Sequence, residues 1–126
     1  MMKWVLAIAA VGEAVTGLAL LVTPPTVAGL LIGAEVAGAG VWMSRVAGIA
    51  LIALGVACWP GTATMRNSNQ ACGAMFTYSA LISLCLVYLG LAGGSIGKLL
   101  WPAAIAHIIL TALLALALFR HRKAAR

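Results

Sequence analysis

Residues 4–25 read WVLAIAAVGEAVTGLALLVTPP, and the fold turns on how this stretch is taken. From Trp4 to Val22 only Glu13 carries a charge. A helix of that length rises about 30 Å at 1.5 Å per residue, the thickness of a bilayer's hydrocarbon. Pro24 and Pro25 then stop it, because proline lacks the N–H that a continuing helix would need. Lys3 followed by AIAA could open a signal peptide. Glu13 inside the apolar core and a run longer than a signal segment favour a retained membrane span.

Three more runs share this character, at about residues 39–59, 72–92 and 99–119. Pro60 follows the second and Pro102 sits near the start of the fourth, which is where proline is tolerated around helices. The 126 residues are 64% hydrophobic and 8% charged. A soluble domain carries roughly 25% charged residues, so this chain cannot wet its own surface and must turn it to lipid. The expected fold is all-α: one integral membrane four-helix bundle over residues 1–126, with spans at about 4–22, 39–59, 72–92 and 99–119. Between the first two spans, TPPTVAGLLIGAEVAG (residues 23–38) holds a shorter helix at about 24–33. Thr23 is placed to cap it and Gly33 to close it, and it is too short to cross, so it lies in the interface or dips toward the bundle. PGTATMRNSNQ, residues 60–70, reads as a polar loop, and GGSIGK, residues 93–98, as a tight connection.

The net charge of +6 is a matter of placement. Four basic residues fall in the tail 120–126, namely Arg120, Arg122, Lys123 and Arg126. With four spans both termini share a side. Putting them in the cytoplasm gathers Lys3, Arg66 and the tail there and leaves Lys98 with Glu35 opposite, so the positive-inside rule orients the chain N-in and C-in. Basic flanks of this kind hold membrane lipids and leave no reason to invoke nucleic acid. Cys58, Cys72 and Cys85 form neither a disulfide framework nor a metal-ligand spacing. Trp4, Trp42, Trp59 and Trp101 fall near span ends, as interfacial anchors do.

The informative residues are the polar ones within the spans. Glu13 lies about 15 Å from either surface, Arg45 about 10 Å deep and His107 about 12 Å deep, by helical rise. Ser83 and Tyr88 belong to the outer half of the third span. Small residues share the faces of the three ionisable groups: Ala9, Thr16 and Gly17 with Glu13, Gly48 and Gly55 with Arg45, and Ala103, Ala104 and Thr111 with His107. A lone charge at mid-bilayer costs several kcal/mol or more, so Glu13 and Arg45 are expected to pair, directly or through water, with His107 close by. The polar layer is Glu13, Arg45, His107, Thr16, Ser83, Tyr88 and Thr111. It is either a clasp that fixes helix packing or a ligand site. His107 alone would be satisfied by Thr111 or a backbone carbonyl, and Tyr78 reads, with Tyr88, as a packing or interface residue. No residue is assigned a catalytic or metal-binding role.

Two resemblances bear on function. GEAVTG, residues 12–17, places a glutamate at mid-depth in the first of four helices and resembles the small multidrug resistance exporters. That would imply proton-coupled export through Glu13, although a fixed cation at Arg45 would repel a cationic substrate. VGEAVTGLALLVTP (residues 11–24), RVAGIALIALGVACW (45–59) and LWPAAIAHIILTALL (100–114) together look like the small four-helix bacterial inner-membrane proteins of the DoxX-like kind. This second resemblance implies a bacterial cytoplasmic membrane and a quinone or lipid head held by the polar layer, some relatives being tied to quinone-linked sulfur oxidation. A third reading is a non-catalytic accessory, assembly or lipid-organising component, partnered by a larger membrane complex or by copies of itself. An enzyme acting on a water-soluble substrate is disfavoured, because the loops offer no nucleophile–base pair.

Overall fold

The computed structural model describes residues 2–61, 65–92, 94 and 96–124. Five helices follow one another, α1 (Met2–Val22), α2 (Pro24–Ile32), α3 (Ala39–Ala57), α4 (Met65–Leu91) and α5 (Leu100–Ala124), and the described residues include no strand. All but α2 are long and apolar enough to cross a membrane. The protein is a multi-pass membrane protein. Helix α2 would rise only about 14 Å. Two boundaries differ from the hydropathy reading. α4 starts at Met65, inside the stretch read as a polar loop, and α5 runs on into the basic tail. Both extensions are polar turns added to an apolar helix, and hydropathy is blind to a helix once it leaves hydrocarbon. Residues 62–64 of that loop, and Gly93 and Ser95 of the connection at 93–98, lie outside the described residues.

The bundle is built from two tight pairs. α1 packs along α3, α4 packs along α5, and α1 joins the pairs by touching both α4 and α5. Glycine makes the first pair possible. A Cβ added at Gly17 would stand 2.5 Å from the Gly48 carbonyl oxygen, one at Gly48 the same 2.5 Å from the Gly17 oxygen, and one at Gly55 2.7 Å from the Ala10 oxygen. The backbones are in contact, which is how membrane helices gain dispersion energy where lipid tails supply no hydrophobic drive.

The interior differs between its two ends. Near the chain termini, Val5, Leu6 and Ala9 of α1 pack with Cys58, with Cys72 and Met75 of α4, and with Leu114 and Ala117 of α5. Leu6, Met75 and Leu114 are fully buried there. Toward α2 the helices part around a chamber.

α2 is clipped over that end. Gly33 takes a left-handed conformation at φ 68° and its N–H returns to the Gly29 oxygen, closing the helix. Thr23 makes no forward cap; its hydroxyl instead donates to the Ala19 oxygen of α1. Two carbonyls at the end of α2 accept from the α4–α5 connection, Leu31 from the Gly97 N–H at 3.2 Å and Leu30 from the Leu99 N–H at 2.8 Å. Gly97 lies so close to the Leu30 carbonyl that no side chain fits. Gly97→Val is therefore expected to cost about 1–3 kcal/mol, as overpacking does, and to raise amide hydrogen exchange across residues 24–32 before the rest of the bundle. Unchanged protection there would show that α2 does not depend on this clip.

Candidate functional site

The chamber has a volume of about 750 Å³ and takes its walls from all five helices. α2 contributes Val27, Leu30 and Leu31, and α3 contributes Ala47, Ala50 and Leu51. Its polar groups are few: Glu13, Thr16, Tyr78 and His107. Three of these converge near the middle of the bundle. Glu13 is buried at 4% exposure. His107 Nδ1 stands 3.9 Å from Glu13 Oε1. Tyr78 lines the chamber beside the Glu13 carboxyl. Tyr78 and His107 meet edge to face, with ring centroids 6.1 Å apart and planes at 75°.

Elementary geometry explains the meeting. Tyr78 lies thirteen residues from either end of α4 (65–91), while Glu13 sits close to the centre of α1 (2–22). His107 is seven residues into α5, about 10 Å along it. The contacts of α1 with both α4 and α5 bring the three groups together.

The expected contact between Glu13 and Arg45 is not formed. Glu13 lies instead beside His107, 3.9 Å from its Nδ1, and the Arg45 guanidinium lies over the Trp42 ring at 5.1 Å from its centroid. The helical turn accounts for this. Ala47, Ala50 and Leu51 mark the chamber side of α3, and at 100° per residue Arg45 projects from the opposite side. Tyr88 also leaves the polar layer, being 71% exposed on the lipid side. Thr16 lines the chamber while its hydroxyl donates to the Gly12 oxygen at 2.9 Å. Ser83 is buried and bonds the Ser79 oxygen at 2.7 Å. Thr111 donates to the His107 backbone oxygen at 2.7 Å, so the imidazole stays free of it.

Tyr78, read from the sequence as a packing residue, is the member of the site that was missed. Placing the start of the third span at residue 72 put Tyr78 a turn and a half into the helix. The true start at Met65 puts it at the centre. The polar but helix-compatible MRNSNQ (65–70) was the available signal.

The arrangement can hold a polar group. His107 Nδ1 is buried with no hydrogen-bond partner, and a buried polar atom of that kind is costly unless something binds it. The 3.9 Å separation from the carboxyl oxygen exceeds a hydrogen bond and leaves room for a ligand atom to bridge. Among the described residues, no three His, Cys, Asp or Glu side chains gather as metal ligands. Comparison of the chain with protein-family models, with curated proteins and with solved structures returns no match.

Proposed function

We propose that the protein binds one lipid-soluble amphiphile in its chamber, head at the Glu13–Tyr78–His107 cluster and tail along the apolar walls. The observation that carries this reading is the unpartnered His107 Nδ1 beside a buried carboxyl, on the wall of an otherwise apolar space. The volume falls within the range of about 300–1,000 Å³ usual for small-molecule sites, and apolar walls with a few convergent polar groups are their common composition. The head is a neutral group that both accepts and donates hydrogen bonds, since an anion would face Glu13. A quinone or quinol ring has that chemistry, which accords with the resemblance to DoxX-like proteins, and so does a hydroxylated lipid. The role is binding and presentation within a membrane, as an accessory component. The positive-inside bias supports a cytoplasmic location for both termini, which turns the α2 end and its chamber to the outer leaflet of a bacterial inner membrane.

Native mass spectrometry from mild detergent tests this. The wild-type protein is expected to retain one amphiphile, and Ala103→Trp, which fills the chamber from α5, is expected to lose it with its helical content unchanged. A wild-type protein that emerges empty, or a filled variant that keeps the same adduct, would overturn the proposal.

A further inference from the structure

The second misfit charge needs its own account. The chain has only two acidic residues, Glu13 and Glu35, and Arg45 pairs with neither of them; Glu13 faces His107. Arg45 nonetheless sits six residues into α3, about 9 Å below its start. A cation at that depth requires a partner or an escape to water. Escape is opposed by two features. The Nε atom is buried with no hydrogen-bond partner, and the guanidinium is held against the Trp42 ring at 5.1 Å. A position over an aromatic face stabilises the cation, but it satisfies none of the N–H donors.

A groove lies on the same side of the molecule. It runs between α1 and α3 on the lipid-facing surface, has a volume of about 440 Å³, and is bordered by Val11, Val15, Leu18, Val56 and Trp59. Residues 45, 52 and 56 recur at intervals of seven and four, so Arg45 and Val56 of the groove share one face of α3. From Arg45 to Val56 the helix descends about 17 Å, within the length of one extended acyl chain. The groove floor is the glycine-packed seam of α1 and α3, where Gly55 meets Ala10 and Ala14, so its bed is rigid.

We infer that Arg45, backed by Trp42, is a binding site for the phosphate of an anionic phospholipid from the α2-side leaflet, one of whose acyl chains lies in the α1–α3 groove. The phosphate supplies the counter-charge that the protein lacks, and its oxygens match the guanidinium's planar set of donors. The site is separate from the chamber, which opens on the other side of α3.

The probe is phosphatidylglycerol, with phosphatidylcholine as comparator, titrated onto the delipidated full-length protein and read by native mass spectrometry. Wild-type protein is expected to take one phosphatidylglycerol in preference to phosphatidylcholine. Arg45→Gln is expected to weaken the phosphatidylglycerol adduct about fivefold, the scale of one basic side chain at an anionic lipid surface, and to erase the preference. Val56→Trp, which occupies the groove and leaves the charge in place, weakens both lipids. Should Arg45→Gln not fold, Arg45→Lys serves, expected to keep a preference for the anionic lipid at reduced affinity. Ala103→Trp, which fills the chamber, leaves this adduct intact, and that separates the two sites. Equal binding of the two lipids by the wild type, or an Arg45→Gln adduct as strong as the wild type's, overturns the inference.

Discussion

Gly48→Leu is expected to destabilise the protein by about 3 kcal/mol, the upper end of what overpacking costs, measured as equilibrium unfolding in mixed micelles. The first carbon alone would stand 2.5 Å from the Gly17 oxygen, 3.0 Å from the Leu21 nitrogen and 3.2 Å from the Leu20 Cβ. Two of those three neighbours are backbone atoms and cannot rotate away. The helices would have to separate along the most extensive interface in the bundle, forfeiting close dispersion contact that lipid replaces poorly. Gly12 supplies the control. Nothing lies within 4 Å of a Cβ added there, so Gly12→Ala is expected to change stability by no more than about 1 kcal/mol, and in the stabilising direction, through helix propensity. Equal effects at the two positions would mean that α1 and α3 are not held by backbone contact.

Glu13→Leu is expected to remove the bound amphiphile, lowering its affinity by tenfold or more on the order-of-magnitude scale of one lost, desolvated polar contact. The substitution removes the buried carboxyl that faces His107 at 3.9 Å and lines the chamber with Tyr78, and with it the polar contact a ligand head would make, worth about 1–3 kcal/mol. Stability and binding are to be measured on the same variants, because they separate a clasp from a site. Glu13→Gln keeps the shape and one acceptor. If the cluster only fastens helices, Gln and Leu will lower stability while the adduct, or its absence, stays as in the wild type. If it holds a ligand head, the loss of ligand in Glu13→Gln will exceed what its small loss of stability explains.

Most of the architecture was legible in the residues. Hydropathy located every span, and prolines 24, 25, 60 and 102 marked the boundaries, because a membrane helix must bond its own backbone and proline cannot take part. Gly33 announced the end of α2. Half of the site was legible too. Glu13 and His107 stood out as ionisable groups within one slab of the membrane. Arg45 stood out equally and misled, because charge and depth say nothing of azimuth. About one and three turns further along α3, Gly48 and Gly55 show that its α1 side is crowded to backbone contact, and a guanidinium on that flank has no path around the helix to Glu13. Tyr78 was hidden for a different reason. The polar turn before α4 is invisible to hydropathy, and without it the helix's centre was misjudged.

The solid end of the bundle carries a consequence for what the molecule can let through. Leu6, Met75 and Leu114 stand fully buried between the chamber and the termini, with Cys58 and Cys72 filling the space around them. A water file or a hydrated ion that entered beneath α2 would meet close-packed hydrocarbon halfway across and go no further. Set in a planar bilayer under voltage, the protein in this conformation is expected to carry no steady current, and a measured conductance would show that the close-packed end opens.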